Sequence, residues 1–247
     1  MKERWLTALP VYNEVKYVSR VLDQVRRYSQ ETLVIDDGSR DGTAQVLATR
    51  RDIRVVTHPR NLGYGAALRS VFDFAIREGY DGVVTIDCDG QHEPQRIPSF
   101  AAAGRHAAIV SGSRYLQRFE GDSRPPSQRR WVNQQVTAEL NRRLGLQLTD
   151  AFCGFKAYRV DALHTLELTE NGYAMPLELW VQAVRHELRI VERAVPLIYL
   201  DEERSFGGVL EDVLTRLEYY HLVLDRSIAA VDFEAACRLA SVCGEVG

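Results

Sequence analysis

The feature that most constrains the fold is a regular alternation of short β-rich runs with longer amphipathic stretches. The β-rich runs occupy residues 5–9, 32–35, 53–56 and 83–86, and the first is followed by Pro10. Between the first two runs, apolar residues recur at helical spacing, at Val15, Val18, Val21, Leu22 and Val25. Strands that alternate with helices form parallel sheets with helices on both faces. The sequence therefore predicts an α/β, doubly wound fold with a mostly parallel sheet.

Polar side chains follow three of these predicted strands directly. They are Tyr12, Asn13, Glu14, Asp36, Asp37, Asp87 and Asp89. The carboxyl ends of parallel strands meet at one edge of a sheet, where ligands of doubly wound folds bind. Individual residues also have structural interpretations, because Asn13 or Asp36 could cap a helix and Tyr12 could pack against the core. The clustering of all seven is what predicts a ligand site.

Asp87 and Asp89 stand one residue apart at the end of the fourth run, followed by Gly90 and Gln91. Mg²⁺ and Mn²⁺ prefer oxygen ligands and complete their coordination with phosphate oxygens and water. Gln91 would add a neutral oxygen. This stretch therefore predicts a Mg²⁺ or Mn²⁺ site for a diphosphate, and an ordinary turn is the alternative.

The rest of the chain continues the same pattern. We expect a strand that ends near Arg114, a loop over 117–127, a helix from Arg129 to about residue 144, and a turn at 150–155 that leads into a strand. A glycine-bearing loop at 201–208 precedes a final amphipathic helix. We predict a single domain over 1–226 and a C-terminal tail over 227–247.

Composition excludes several classes of protein. The net charge of −3 gives no general attraction to nucleic acid, so we expect no nucleic-acid partner. The four cysteines have no paired spacing, which is typical of free thiols in a reducing compartment. No apolar run approaches the roughly 18 to 20 residues that cross a bilayer. We therefore expect a cytoplasmic protein, at most peripheral at the inner face of the membrane.

Six motifs in order resemble family 2 glycosyltransferases of the GT-A fold, and most of all the dolichyl- or polyprenyl-phosphate sugar (mannose) synthases. The motifs are Leu9-Pro10-Val11-Tyr12-Asn13-Glu14, Val34-Ile35-Asp36-Asp37-Gly38-Ser39-x-Asp41-Gly42-Thr43, Asn61-x-Gly63-x-Gly65, Asp87-x-Asp89-x-Gln91-His92-x-Pro94, Gly112-Ser113-Arg114-Tyr115 and Cys153-Gly154-Phe155-Lys156-x-Tyr158. Any one of them is weak, but the six stand in register over about residues 5–208. This resemblance implies a GT-A domain with a nucleotide-sugar half over about 1–115 and an acceptor half over about 116–208.

The resemblance also implies roles for individual residues. The nucleotide sugar would be held by Pro10, Tyr12, Asn13, Glu14, Ile35, Asp36, Asp37, Gly65, Asp87 and Cys88. The metal ligands would be Asp87, Asp89 and Gln91. Arg114 and either Arg129 or Arg130 would meet the acceptor phosphate, and Arg204 would reach the donor diphosphate from a closing loop. The chain departs from the family pattern of that loop, because Val209 and Leu210 replace a Ser-Lys pair.

The function implied is an inverting, metal-dependent transfer of a sugar from a UDP- or GDP-sugar to a polyprenyl or dolichyl phosphate. The alternative acceptor is a saccharide hydroxyl, for which Glu178 is the candidate general base. A peripheral enzyme could meet a lipid acceptor through the segment 114–130 or through a membrane partner protein. A sugar nucleotidyltransferase is a less favoured class because the loop after the first strand lacks glycine. A non-catalytic protein that binds a nucleotide sugar is the remaining alternative class.

Overall fold

A computed structural model describes residues 3–200 and 208–244, with only the backbone of Gly208, Val209 and residues 233–244. Its strands are β1 (Trp5–Val11), β2 (Glu31–Asp36), β3 (Arg54–Thr57), β4 (Gly82–Thr85), β5 (Ile109–Ser113), β6 (Lys156–Arg159) and β7 (Ile190–Ala194). They form one sheet in the order β3-β2-β1-β4-β6-β5-β7. All neighbours are parallel except β6, which runs antiparallel to both β4 and β5. The predicted mostly parallel sheet is confirmed.

The first strand continues through Pro10, whereas the sequence predicted that it ends there. The carbonyl of Ala8 accepts a hydrogen bond from Ile86 N, so this residue and the alternate residue Pro10 face β4. Pairing with β4 extends only to Ala8, whereas pairing with β2 extends to Val11. Proline has no backbone N–H to donate. At Pro10 this group would face β4 beyond the end of the β1–β4 pairing, so the sheet loses no hydrogen bond.

Helices cover both faces of this sheet. They are α1 (Val18–Val25), α2 (Thr43–Ala48), α3 (Tyr64–Arg77), α4 (Ile97–Gly104), α5 (Ser127–Leu144), α6 (Val160–Leu163), α7 (Met175–Arg185) and α8 (Val213–Gly244). Short 3-10 helices span Pro94–Arg96 and Gly208–Glu211.

Two apolar cores form because successive side chains of a strand point to opposite faces. Leu6 and Ala8 of β1 join the core beneath α3, α5, α7 and α8, whereas Leu9 and Val11 join the core beneath α1 and α4. Strands buried on both faces explain the continuous apolar runs in the sequence.

The predicted final helix is α8, which packs on α5 and α7 and continues to Gly244. Residue 226, the predicted end of the domain, is a position within this helix. Its Tyr219 hydroxyl donates to Glu170 Oε1 at 2.6 Å, and Arg226 Nη2 donates to Glu170 Oε2 at 2.8 Å. Of the helices in the described part of the chain, none combines the length and the apolar character that a bilayer crossing needs.

Candidate active site

A cavity of about 380 Å³ lies beyond the carboxyl ends of β1, β2 and β4. Ten of the predicted site residues line it: Pro10, Tyr12, Glu14, Asp37, Asp87, Cys88, Asp89, Gln91, Arg114 and Arg129. Residues from both predicted halves of the domain therefore meet in one space, at the edge where doubly wound sheets bind ligands.

Three neighbours fix the side chain of Asp87. The Tyr64 hydroxyl donates to Oδ1 at 3.2 Å, and His92 Nε2 lies 3.2 Å from Oδ2. A Cβ at Gly154 would overlap both carboxylate oxygens, so only glycine leaves room for Asp87 in this position. Burial and the nearby Asp87 carboxylate raise the pKa of Tyr64 well above its usual value, so Tyr64 remains a hydrogen-bond donor.

Asp89 lies in the turn that follows β4, and its Oδ1 accepts a hydrogen bond from Gln91 N at 2.9 Å. The predicted turn is therefore present, and its residue Asp89 also lines the cavity. Within residues 3–200 and 208–244, no group of three or more His, Cys, Asp or Glu side chains is arranged to hold a metal ion. Two carboxylates and an amide oxygen fit a Mg²⁺ or Mn²⁺ ion whose other ligands are phosphate and water oxygens.

Asp37 is buried and holds the loop before α3. Its Oδ1 accepts from Leu62 N at 2.9 Å and its Oδ2 from Gly63 N at 2.8 Å. His58 Nδ1 lies 2.6 Å from Oδ1, and its Nε2 lies 2.9 Å from Ser70 Oγ. Asp37 thus shapes the wall of the cavity through its neighbours as well as facing the cavity itself.

Four of the residues predicted to hold the nucleotide sugar do not line the cavity: Asn13, Ile35, Asp36 and Gly65. Asn13 adopts a positive φ of 56° and its Oδ1 accepts from Arg40 N at 2.8 Å, which ties the loop after β1 to the loop after β2. Asp36 Oδ1 accepts from Ser39 N at 3.0 Å, and Ile35 is fully buried in the core. Asn13 and Asp36 therefore shape these loops and cap no helix.

Gly65 also lies outside the cavity lining, and the structure gives another reason for it. A Cβ at Gly65 would overlap the carbonyl oxygen of Glu170, and one at Gly63 would overlap that of Asn171. Ala66 N donates to this Asn171 carbonyl at 3.1 Å. Because both residues are glycine, the loop before α7 can pack directly against the first turn of α3. This packing positions the cavity wall and needs no contact between Gly65 and a nucleotide.

Arg114, whose side chain is 20% exposed, forms an ion pair with the fully buried Asp150. Its Nε donates to Oδ2 at 2.7 Å and its Nη2 to Oδ1 at 2.9 Å. Asn133 Nδ2 adds a bond to Oδ1 at 2.7 Å. Burial opposes ionisation of Asp150, yet the adjacent Arg114 guanidinium holds the pKa of this carboxyl well below its usual range. Much of the charge of Arg114 is therefore already balanced inside the protein.

The remaining predicted residues lie in different environments. Arg129 lines the cavity, whereas the Arg130 guanidinium lies over the Tyr115 ring, 4.7 Å from its centroid. Glu178 is buried in the first turn of α7, and its carboxylate accepts hydrogen bonds from Thr169 N, Thr169 Oγ1 and Glu170 N, each at 2.8 Å. Glu178 is not among the residues that line the cavity and it organises the preceding loop, and its role as a general base stays a prediction. Arg204 lies outside the described residues.

Aromatic residues and one arginine of the cavity were not predicted. They are Tyr64, Tyr115, Tyr173, Tyr199, Tyr220 and Arg216. Tyr64 and Tyr173 stack with ring centroids 5.8 Å apart. Only Tyr64 and Tyr115 lie within the motifs that indicated a ligand site. The helical spacing around Arg216 and Tyr220 indicates which face of the helix packs against the protein, but it does not indicate a cavity.

A solved structure shows the class of fold. Glucosyl-3-phosphoglycerate synthase from Mycobacterium tuberculosis matches with a TM-score of 0.68 and 20% identity, over 93% of this chain and 80% of that chain. At this level of identity the likeness shows the fold alone, which is the GT-A fold of glycosyltransferases. The predicted fold class is confirmed.

Sequence comparison then shows the family. The model of Glycosyl transferase family 2 matches residues 7–167. An undecaprenyl-phosphate mannosyltransferase from Micrococcus luteus is 31% identical over 89% of this chain and 94% of its own length. A polyprenol monophosphomannose synthase from Mycolicibacterium smegmatis is 30% identical over 81% of this chain and 79% of its own length. The chain belongs to glycosyl transferase family 2 and is a glycosyltransferase, related to polyprenyl-phosphate sugar transferases.

Proposed function

We propose that this glycosyltransferase moves a sugar, with inversion, from a UDP- or GDP-sugar to a polyprenyl or dolichyl phosphate. The observation that carries the proposal is a single cavity that joins Asp87 and Asp89, at the end of β4, to Arg114 and Arg129. The similarity to an undecaprenyl-phosphate mannosyltransferase and a polyprenol monophosphomannose synthase supports this class of acceptor.

On the donor side, Pro10, Tyr12, Glu14 and Asp37 would hold the nucleoside, and Asp87, Asp89 and Gln91 would hold Mg²⁺ or Mn²⁺. When bound, the cation supplies Lewis-acid stabilisation of the negative charge on the leaving β-phosphate. The protein prepares this position in advance, because Tyr64, His92 and Gly154 fix the Asp87 carboxylate. Such preorganisation removes the need to reorient a ligand during the reaction.

The acceptor oxygen attacks C1 of the sugar as the bond from C1 to the β-phosphate oxygen breaks, and the nucleoside diphosphate leaves with the electron pair. A phosphate monoester is already ionised near neutral pH, so it needs no general base. A hydroxyl acceptor would need one. Among the described residues that line the cavity, the acidic side chains are Glu14, Asp37, Asp87 and Asp89, all on the donor side. This distribution favours the phosphate acceptor over the saccharide hydroxyl.

A lipid acceptor would bring the enzyme to the inner face of the membrane as a peripheral protein. The segment 117–126 lies between two exposed apolar side chains, Leu116 and Trp131, which are 47% and 41% exposed. Arg118 and Arg124 belong to the same segment. Over residues 114–130 five arginines outnumber the two acidic residues, Glu120 and Asp122, and basic residues beside apolar ones fit an interface with anionic lipid.

The test is a product assay with GDP- and UDP-sugars and a short-chain polyprenyl phosphate, in Mg²⁺, Mn²⁺ or chelator. We expect a lipid-linked sugar with one nucleotide and with metal only, and a metal-dependent rise in melting temperature with the same nucleotide. Asp89→Ala should lower turnover about 100-fold or more with the fold intact, because the cation would lose a carboxylate ligand. Asp23→Ala, at an exposed position on α1, is the control.

Three outcomes would contradict the proposal. Full activity of Asp89→Ala, or of the wild type in excess chelator, would show that transfer does not depend on a metal ion held by Asp89. Release of pyrophosphate from a sugar phosphate and a nucleoside triphosphate would indicate a nucleotidyltransferase. Donor binding with neither transfer nor slow hydrolysis would indicate a non-catalytic binder.

A further inference from the structure

Tyr64 and Tyr173 form an aromatic pair in the wall of the cavity. Their rings stack with centroids 5.8 Å apart and with an angle of 19° between the ring planes. The Tyr64 hydroxyl donates to Asp87 Oδ1 at 3.2 Å, so the first ring serves a proposed metal ligand. Tyr173 lines the same cavity and is 40% exposed. A large aromatic side chain therefore borders the space next to the proposed metal site.

The segment before α7, residues 169–173, is fixed from two directions. Glu170 Oε1 accepts a hydrogen bond from Gly172 N at 2.8 Å. Arg69 Nη1, on α3, donates to Asn171 Oδ1 at 2.8 Å. Because these contacts hold the segment before a ligand arrives, a ligand that packs on its aromatic side chain has little of the protein left to order.

The order of the elements places Tyr173 between the two groups of charged residues in the cavity. Asp87 and Asp89 follow β4, which contacts α3, whereas Arg114 follows β5 and Arg129 lies on α5. The helix α7 begins two residues after Tyr173 and contacts α3 as well as α5 and α8. In the proposed reaction, C1 of the sugar lies between the leaving β-phosphate and the attacking oxygen. The transferred sugar therefore occupies the part of the cavity that Tyr173 borders.

We propose that the ring of Tyr173 packs against the pyranose ring of the donor sugar and thereby orients C1 for transfer. This inference rests on the proposed function, since it takes a nucleotide sugar as the donor. A pyranose carries hydroxyl groups at its rim and C–H groups on its faces, and such C–H groups pack on the negative face of an aromatic ring. The contact also removes apolar surface of both rings from water. Sugars differ in how many C–H groups one face presents, so the same contact discriminates among them.

The alternative is a structural Tyr173 that only supports the ring of Tyr64. Loss of the Tyr173 ring would then disturb Asp87 and the metal ion, and it would weaken binding of a nucleoside diphosphate and of a nucleotide sugar alike. A residue that packs on the sugar affects the nucleotide sugar alone. The ratio of the two dissociation constants therefore separates the two roles.

The experiment measures binding of GDP, GDP-mannose, UDP and UDP-glucose in Mn²⁺ by calorimetry. Tyr173→Ala and Tyr173→Leu remove the ring, and Tyr173→Phe keeps it. Tyr64→Phe keeps the stacked pair but removes the hydroxyl that donates to Asp87. Tyr28→Ala is the matched control, because Tyr28 is 43% exposed and is not among the residues that line the cavity. Melting temperatures of all variants check the fold.

We expect Tyr173→Ala and Tyr173→Leu to weaken binding of the nucleotide sugar about 5- to 10-fold, as for the loss of one aromatic contact, and to leave the nucleoside diphosphate within about twofold of wild type. Tyr173→Phe should retain the affinity for both ligands. Tyr64→Phe should weaken both to the same extent, because a proposed metal ligand loses a hydrogen bond. Tyr28→Ala should change neither.

An equal loss for both ligands in Tyr173→Ala and Tyr173→Leu, or no loss for either ligand, would overturn the inference. Because binding is measured without turnover, wild type that binds a nucleotide sugar but transfers no sugar to polyprenyl phosphate would contradict only the proposed function. Wild type that transfers sugar while the Tyr173 variants keep their affinity for the nucleotide sugar would overturn only the inference. Wild type that binds neither of the two nucleotide sugars would overturn both.

Discussion

Replacing Asp150 with asparagine tests how the part of the cavity around Arg114 is held together. The Asp150 side chain is fully buried and accepts hydrogen bonds from Arg114 Nε and Nη2, Arg114 N, Asn133 Nδ2 and Phe152 N. Asparagine keeps the shape but removes the charge and one acceptor oxygen, so Arg114, whose side chain is only 20% exposed, loses its balancing charge. Breaking a buried pair in this way costs about 3 to 5 kcal/mol.

For a chain of this size, each kcal/mol lowers the melting temperature by about 2 to 4 °C, so we expect a fall of roughly 6 to 20 °C. Urea unfolding followed by circular dichroism gives the free energy of unfolding for comparison. Asp225→Asn is the matched control, because Asp225 also pairs with an arginine, at 2.6 Å from Arg143, but is 63% exposed. Solvent screens this pair, so the control should unfold close to the wild type.

The double variant Arg114→Gln/Asp150→Asn separates the two causes of the loss. If the cost comes from the orphaned guanidinium, removing both charges should recover at least half of the lost stability. A fall in Asp150→Asn no larger than that of Asp225→Asn would refute the reasoning, and so would a double variant that is less stable than the single one.

Three other perturbations give distinct results. Gly154→Ala should lower turnover on the order of 100-fold with a small change in melting temperature, because the new Cβ displaces the Asp87 carboxylate; unchanged turnover would show that Asp87 tolerates the shift. His58→Ala should raise the KM for the nucleotide sugar about tenfold, because Asp37 loses a partner 2.6 Å away; a change in the acceptor KM alone would contradict this. The pKa of Asp150 is lowered in the folded state, so its contribution to stability is present at neutral pH and is lost as pH falls below the unfolded value of about 3.9. Urea midpoints from pH 7 to 3 should therefore fall less steeply in Asp150→Asn than in wild type, and parallel curves would argue against the assignment.

Much of the cavity wall that comes from the first half of the chain could be predicted from the sequence, because its residues lie immediately after strands. The direction of a parallel strand determines where its carboxyl end lies, so Tyr12, Asp37 and Asp87 converge for a reason that is already present in short segments. The alternating pattern likewise predicted helices on both faces, which the two cores confirm.

The features that the sequence did not predict concern contacts between distant parts of the chain. Gly65 has its role because the carbonyl of Glu170 approaches it, more than one hundred positions later in the sequence. Glu178 satisfies backbone groups of a loop that sequence periodicity does not define. Arg216 follows a helical pattern that reports which face is buried, but not that this face borders a cavity.

The antiparallel strand β6 has a consequence for how the enzyme can diversify. Because β6 runs against β4 and β5, its amino end lies at the same edge of the sheet as their carboxyl ends. The chain between β5 and β6 therefore leaves the catalytic edge and returns to it, bringing α5 to the acceptor side, without passing through the strands that carry Tyr12 or Asp37. The proposed function therefore predicts that exchange of residues 115–149 between family members changes the acceptor and leaves the nucleotide site unchanged.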